Sequence, residues 1–160
     1  MKKFKAKYGE IPKVSDHEYF TNSIHIPVWE NITPFEKIDL ESQLTGYSAA
    51  GCITYVELEG DPTKNIEAMD KLVQYAMSKD VPYFALNIKL DQCLNEECGY
   101  RGLIEKECPI CGSKNSKGES TPVSHLARVT GYLSSEVQFM NKGKQAEVSE
   151  RVKHIGKIDC

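Results

Sequence analysis

Through the first ninety residues the apolar positions switch between a period of two and a period near 3.6, which predicts strands alternating with helices. Residues 24–29 read as a strand, preceded by Tyr19-Phe20-Thr21-Asn22-Ser23, with Pro27 weakening the far end. Thr33-Pro34-Phe35-Glu36 is a helix start: Thr33 as N-cap, Pro34 at the first helical position and Glu36 completing a capping box. Phe35, Ile38 and Leu44 supply its expected buried stripe. Residues 52–59 are β-rich, and Asp61-Pro62 turns the chain. Asn65 or a neighbour then opens a second helix, in which Ile66, Met69, Leu72, Val73, Ala76 and Met77 recur at helical spacing. Val81-Pro82 ends that helix, and residues 83–90 return as a strand.

This β-α-β-α-β order predicts an α/β fold with parallel strands and helical crossovers. Within the last strand Phe84, Leu86, Ile88 and Leu90 share one face, with Tyr83, Asn87 and Lys89 opposite. Thr21, Ser23 and His25 fall opposite Asn22, Ile24, Ile26 and Val28. A polar row behind an apolar one suits barrel strands that line a wet site. Three strands cannot close a barrel, and an open sheet leaves two edges, so the segment reads as part of something larger. After Leu90 the character changes. Residues 91–115 are rich in knuckle-like turns, and 113–120 form a polar linker. Residues 121–142 become apolar again, and the charged tail predicts a helix over 145–153. The expected domains are 1–90 for the α/β elements, 91–115 for a zinc ribbon and 116–160 for a loop and tail.

The chain of 160 residues carries a formal charge of -3, with 27% charged and 40% hydrophobic residues, enough for one modest core and an appendage. No strongly basic face stands out, so nucleic-acid binding gains little from electrostatics. No apolar run approaches the roughly 18–20 residues of a membrane span, and the Met1-Lys-Lys-Phe-Lys start lacks a secretory stretch. The expected location is cytoplasmic, with no membrane partner.

The cysteines change the picture most. Cys93, Cys98, Cys108 and Cys111 lie within nineteen residues as C-x4-C, nine intervening residues, then C-P-I-C. In a reducing compartment such spacing points to metal rather than disulfides. Four thiolates close a tetrahedral zinc shell with no open position, so the site is structural and activates no water. Iron could in principle occupy the same ligands. Gly99 and Gly112 each follow a cysteine, where a knuckle needs permissive backbone. Cys52 reads as a buried small residue and Cys160 as a tail residue. Among the histidines, His25 reads as structural, His125 as a residue that could order the following loop, and His17 and His154 as solvent-facing. Lys142, Lys144, Arg151 and Lys153 read as a solvated basic stretch, and Tyr132 as an aromatic core residue.

Seventeen residues after Cys111 comes Arg128-Val129-Thr130-Gly131-Tyr132-Leu133. Following the four cysteines, this segment resembles the glycyl-radical loop of the anaerobic (class III) ribonucleotide reductases. Residues 16–28 resemble that family's Tyr-Thr-Asn-Ser strand near the end of its ten-stranded α/β barrel. Residues 51–57, 65–76 and 83–87 resemble the barrel elements that follow. Asn141, Gly143, Lys144, Glu147 and Arg151 fit the downstream pattern. The resemblance implies the C-terminal, incomplete portion of that barrel, with a four-cysteine zinc ribbon and a radical loop. Gly131 is then the radical residue, since a Cα radical is stabilised by flanking amides, and glycine allows close approach of a sulfur.

The same resemblance implies reduction of ribonucleoside triphosphates to deoxyribonucleoside triphosphates without oxygen. It implies a radical-SAM activating protein, an iron–sulfur activase using S-adenosylmethionine, and formate or a dithiol as reductant. The complete enzyme is expected to be a homodimer. The family's thiyl cysteine and phosphate loop lie upstream, and residues 1–15 contain neither a cysteine nor a phosphate-cradling glycine run. The chain alone is therefore expected to be inactive, acting with a missing N-terminal barrel polypeptide or a full-length reductase. The alternatives are a stand-alone spare part that donates a radical loop, and a zinc-ribbon binding module.

Overall fold

The computed structural model describes residues 1–20, 25–58, 61–88, 90–104, 107–113, 123–129, 132–134 and 137–154. A short helix, α1 (Lys2–Tyr8), is followed by an irregular stretch and then by α2 (Pro34–Thr45). The capping box at the start of α2 forms as expected: Thr33 Oγ1 accepts the Glu36 N–H at 3.3 Å and Glu36 Oε2 accepts the Thr33 N–H at 3.0 Å. Strand β1 (Thr54–Glu57) leads through a 3-10 turn over Pro62–Asn65 into α3 (Ile66–Met77) and then β2 (Phe84–Asn87). Asn65 caps α3 by accepting the Ala68 N–H at 3.0 Å. The two strands pair parallel in the register Thr54↔Phe84 to Glu57↔Asn87. This is the crossover unit that the alternation of periods predicts.

The core of this α/β unit is Ile38, Val56, Leu72 and Ala76, flanked by Phe35, Leu58, Tyr75, Val81, Phe84 and Leu86. Burial of Ile38, Val56 and Leu72 stabilises the fold by about 1.5–3 kcal/mol each. The stripes differ in detail from the sequence reading. Leu44 is exposed, and α2 instead turns Lys37, Glu41 and Thr45 inward beside Ile38. On α3 the buried line is Ala68, Leu72 and Ala76, while Ile66 and Met77 at its ends are 69% and 79% exposed. The helix also stops at Met77, short of Val81-Pro82.

The strand expected over 24–29 is not formed in its described part, residues 25–29. The Ile26 N–H is taken by Glu41 Oε1 at 3.1 Å, Pro27 has no N–H to give, and the Val28 carbonyl accepts the Val152 N–H at 2.9 Å. The edge of β1 that such a strand would cover is met at Glu57 by the tail. Glu57 donates its N–H to His154 Nδ1 at 2.8 Å, and its carbonyl accepts the His154 N–H at 2.9 Å.

The stretch read as one strand over 83–90 is divided. β2 ends at Asn87, and Leu90 opens β3 (Leu90–Cys93) of a second sheet with β4 (Arg101–Gly102), β5 (Val123–Val129) and β6 (Tyr132–Ser134). The order is β4-β3-β5-β6, every pair antiparallel. Cys93 pairs with Val123, so β5 is laid directly on the strand that begins the cysteine cluster. A last helix, α4 (Lys142–Glu150), starts three residues before the predicted one because Asn141 caps it, accepting the Lys144 N–H at 3.0 Å. Among the described residues no helix is long and apolar enough to cross a membrane.

Candidate metal centre and the hairpin beside it

Two turns present the four cysteines. In the first, the Asn95 carbonyl accepts the N–H groups of Cys98 at 2.9 Å and Gly99 at 3.0 Å, and Asn95 Oδ1 accepts that of Glu97 at 3.1 Å. The extra residues of C-x4-C are thus absorbed in an asparagine turn. In the second, the Cys108 carbonyl accepts the Gly112 N–H at 2.9 Å, and the Ser113 carbonyl accepts that of Cys108 at 2.8 Å. Gly99 and Gly112 have φ of 59° and 72°, a left-handed backbone that a Cβ would strain. Cys93 and Cys108 are buried with Ile104, with Cys98 and Tyr100 packed alongside. Asp91, also buried, fixes Ile104 by accepting its N–H at 2.9 Å.

The four sulfurs lie within 4.8 Å of one another, with Cys93–Cys111 and Cys98–Cys108 both at 3.6 Å. Tetrahedral zinc with Zn–S near 2.3 Å requires S···S separations of about 3.8 Å. A disulfide requires about 2.05 Å. The group fits a four-coordinate soft metal ion and is not a set of disulfides. Hydrogen bonds from the Ser113 hydroxyl and amide pull the Cys111 thiol down to about 6. At Cys98 the backbone hydrogen bond from Tyr100 favours the thiolate, but desolvation and the three neighbouring sulfurs push it up to about 12. Metal binding at such a cluster releases the shared protons.

Val129 and Tyr132 are register partners at the end of the β5–β6 hairpin. Thr130 and Gly131 lie between them and outside the described residues, as does Cys160. β5 extends roughly 20 Å from its Cys93-paired start to Val129, at about 3.3 Å per residue. The cysteine cluster therefore supports the base of the hairpin rather than its tip. Cys52 is half-buried rather than buried, with its thiol pushed up by desolvation and then by Glu41.

The structure corrects the reading of the charged residues. His154 is buried, not solvent-facing, and His17 stacks on Trp29 at 3.6 Å while its Nδ1 meets Glu150 at 2.8 Å. His25 has the structural role expected of it, its Nδ1 lying 3.3 Å from buried Glu41, which also holds Lys37 at 2.5 Å. Arg151 is not part of a solvated stretch: it bridges Glu57 at 3.0 Å and Glu147 at 3.1 Å with its side chain 12% exposed. Lys37–Glu41 and Glu147–Arg151 are local i,i+4 pairs, whereas His17–Glu150, His25–Glu41 and Arg151–Glu57 join positions that no local sequence signal links.

An α/β unit joined to a four-cysteine cluster and an antiparallel hairpin defines the architectural class. The family model described as anaerobic ribonucleoside-triphosphate reductase matches residues 1–154, and the chain belongs to that family. It is 36% identical over 157 residues to the anaerobic ribonucleoside-triphosphate reductase of Escherichia coli K12, covering 94% of this chain and 21% of that protein. To the same protein of Haemophilus influenzae it is 37% identical over 155 residues, covering 93% and 21%. A solved structure described as anaerobic ribonucleotide reductase superposes with a TM-score of 0.69 at 23% identity, covering 95% of this chain and 22% of that one, and shows a shared fold. The chain spans about a fifth of the length of the curated relatives it matches.

Proposed function

We propose that this chain is the C-terminal, radical-bearing segment of an oxygen-sensitive reductase that converts ribonucleoside triphosphates to deoxyribonucleoside triphosphates. The observation that carries this reading is the match to the reductase family over residues 1–154, which takes in both the four cysteines and RVTGYL. β1 and β2 are read as the last strands of a ten-stranded barrel within 1–90. Residues 91–115 are read as the zinc ribbon, and 116–160 as the radical loop and tail. Cys93, Cys98, Cys108 and Cys111 would hold zinc, whose contribution is a fixed tetrahedral staple with no open coordination position.

Gly131 is proposed as the radical site. A radical-SAM activase with its iron–sulfur cluster and S-adenosylmethionine would remove one hydrogen from its Cα. The pairing of Val129 with Tyr132 supports this reading, because it braces the chain on both sides of the segment that contains Gly131. Substrate binding and the thiyl cysteine are assigned to residues outside these 160 positions, on the same polypeptide or on a partner. The chain alone should not reduce nucleotides.

The test is an anaerobic electron paramagnetic resonance spectrum after incubation with activase, S-adenosylmethionine and reductant, with Gly131→Ala alongside. A glycyl doublet in the parent chain that is absent from the variant is the expected result. A metal-loaded, folded chain that gives no doublet, with or without a barrel polypeptide, would refute the radical role.

A further inference from the structure

The hairpin is anchored at its base by the cysteine-bearing strand, but its other arm, β6, leads away through a turn over Val137–Phe139 into α4 and the tail. A buried carboxylate on the α/β unit is a principal anchor of that arm. Glu57, at the end of β1, is buried, and its Oε1 receives Arg151 at 3.0 Å and Asn87 Nδ2 at 2.9 Å. Its Oε2 lies 2.8 Å from Asn87 Nδ2 and 3.9 Å from Lys153 Nζ. Its backbone N–H and C=O both pair with His154. The Arg151 guanidinium also reaches Glu147 of α4 at 3.1 Å, and Glu147 holds Lys144 at 2.9 Å. One arginine fork thus ties the last turn of α4 and the tail to the end of the parallel sheet.

The rest of α4 is seated as closely. Tyr19 Oη donates to Glu150 at 2.7 Å, and a Cβ on Gly143 would lie 3.2 Å from the Tyr19 Cβ, a tight contact, so the helix packs closely on Tyr19. α4 in turn lies against β5. We infer that Glu57 and Arg151 are positioning residues, forming a clamp that sets the hairpin relative to the parallel strands of the α/β unit. The consequence for chemistry rests on the radical reading of Gly131: a hydrogen-transfer site must be held within a fraction of an ångström of its partner. The clamp itself stands on the geometry around Glu57.

The experiment is hydrogen–deuterium exchange on the zinc-loaded 160-residue chain and on Glu57→Gln, Arg151→Met and Arg151→Lys, paired with the glycyl doublet in each. Glu57→Gln keeps the shape and the backbone pair with His154 but removes the charge that the fork grips. Amides of 123–129, 132–134 and 142–154 should exchange roughly tenfold faster in Glu57→Gln and Arg151→Met. Arg151→Lys, which keeps charge but not the fork, should fall between. The amides of 54–56 in β1, those of α3 and the metal content should stay unchanged. Hairpin exchange that does not move, or that rises equally across β1 and α3, would overturn the clamp. A parent chain that gives no doublet with or without a barrel polypeptide, while the exchange pattern holds, would overturn the radical reading and uphold the clamp.

Discussion

At the scale of single residues, this protein is shaped by polar groups placed where an apolar side chain would be expected. His154 works as a hydrogen-bond acceptor, so it must be neutral; burial first, and then the positive charge of Lys37, pull its pKa down to about 4. Below about pH 6.5 the unfolded chain takes up a proton that the folded one refuses, so stability falls as pH drops from about 6.5 towards about 4. Thermal unfolding across that window should show the slope, and His154→Ala should flatten it while lowering stability at pH 7. Glu41 adds a second, more acidic window. Burial raises its pKa, but His25 and Lys37 outweigh that and bring it to about 2, so its contribution is present above about 4.5 and lost towards 2. Apolar positions divide by exposure rather than by type. Leu72→Ala, at a side chain 0% exposed, should cost about 2–5 kcal/mol by urea denaturation. Met77→Ala, 79% exposed, should stay within about 0.5 kcal/mol.

At the scale of elements, local chemistry sets the starts and tertiary contacts set the faces and ends. The capping box of α2 is a local interaction among Thr33, Pro34 and Glu36, and it forms as read. Thr33→Ala should destabilise by about 1 kcal/mol in the same denaturation assay, with Glu36 losing its reciprocal partner. The inward face of α2 could not be read in the same way. Hydrophobic periodicity favours Leu44, but the helix turns towards the 25–26 segment, where Glu41 is needed to satisfy the Ile26 N–H and His25. The absence of a strand over 25–29 has the same cause, since the Ile26 N–H and the Val28 carbonyl are bonded to a side chain and to the tail rather than to a sheet neighbour. α4 stops at Glu150 because the following residues are extended and docked on Glu57.

At the scale of the whole molecule, the four-cysteine cluster and the hairpin form one sheet, so metal retention and hairpin order are coupled. Removing metal with a chelator should leave the α/β unit folded, because its core of Ile38, Val56, Leu72 and Ala76 contains no cysteine. It should loosen β3, β4 and β5, which are joined through β3, the strand that ends in Cys93. The measurement is metal content together with exchange at 90–104 and 123–129, in the parent chain and in Cys108→Ser. One zinc per chain, lost on substitution together with protection of both stretches, is the expected outcome. Retained protection after metal loss would show that the sheet stands without it.

The sequence by itself determined the β-α-β alternation of the α/β unit, the caps of α2 and α3 and the four-cysteine group. Each is written in residues close together in the chain, where spacing and local hydrogen bonding carry the information. The crossover between β1 and β2 follows from that same periodicity. Tertiary structure alone decided that Arg151 is half-buried and His154 buried, that the tail meets β1 at Glu57, and that β5 lies on the strand carrying Cys93. Those contacts join residues up to 97 positions apart. A charged side chain reads as solvent-facing until its distant partner is known, and burial becomes favourable only when that partner and its hydrogen bonds are in place.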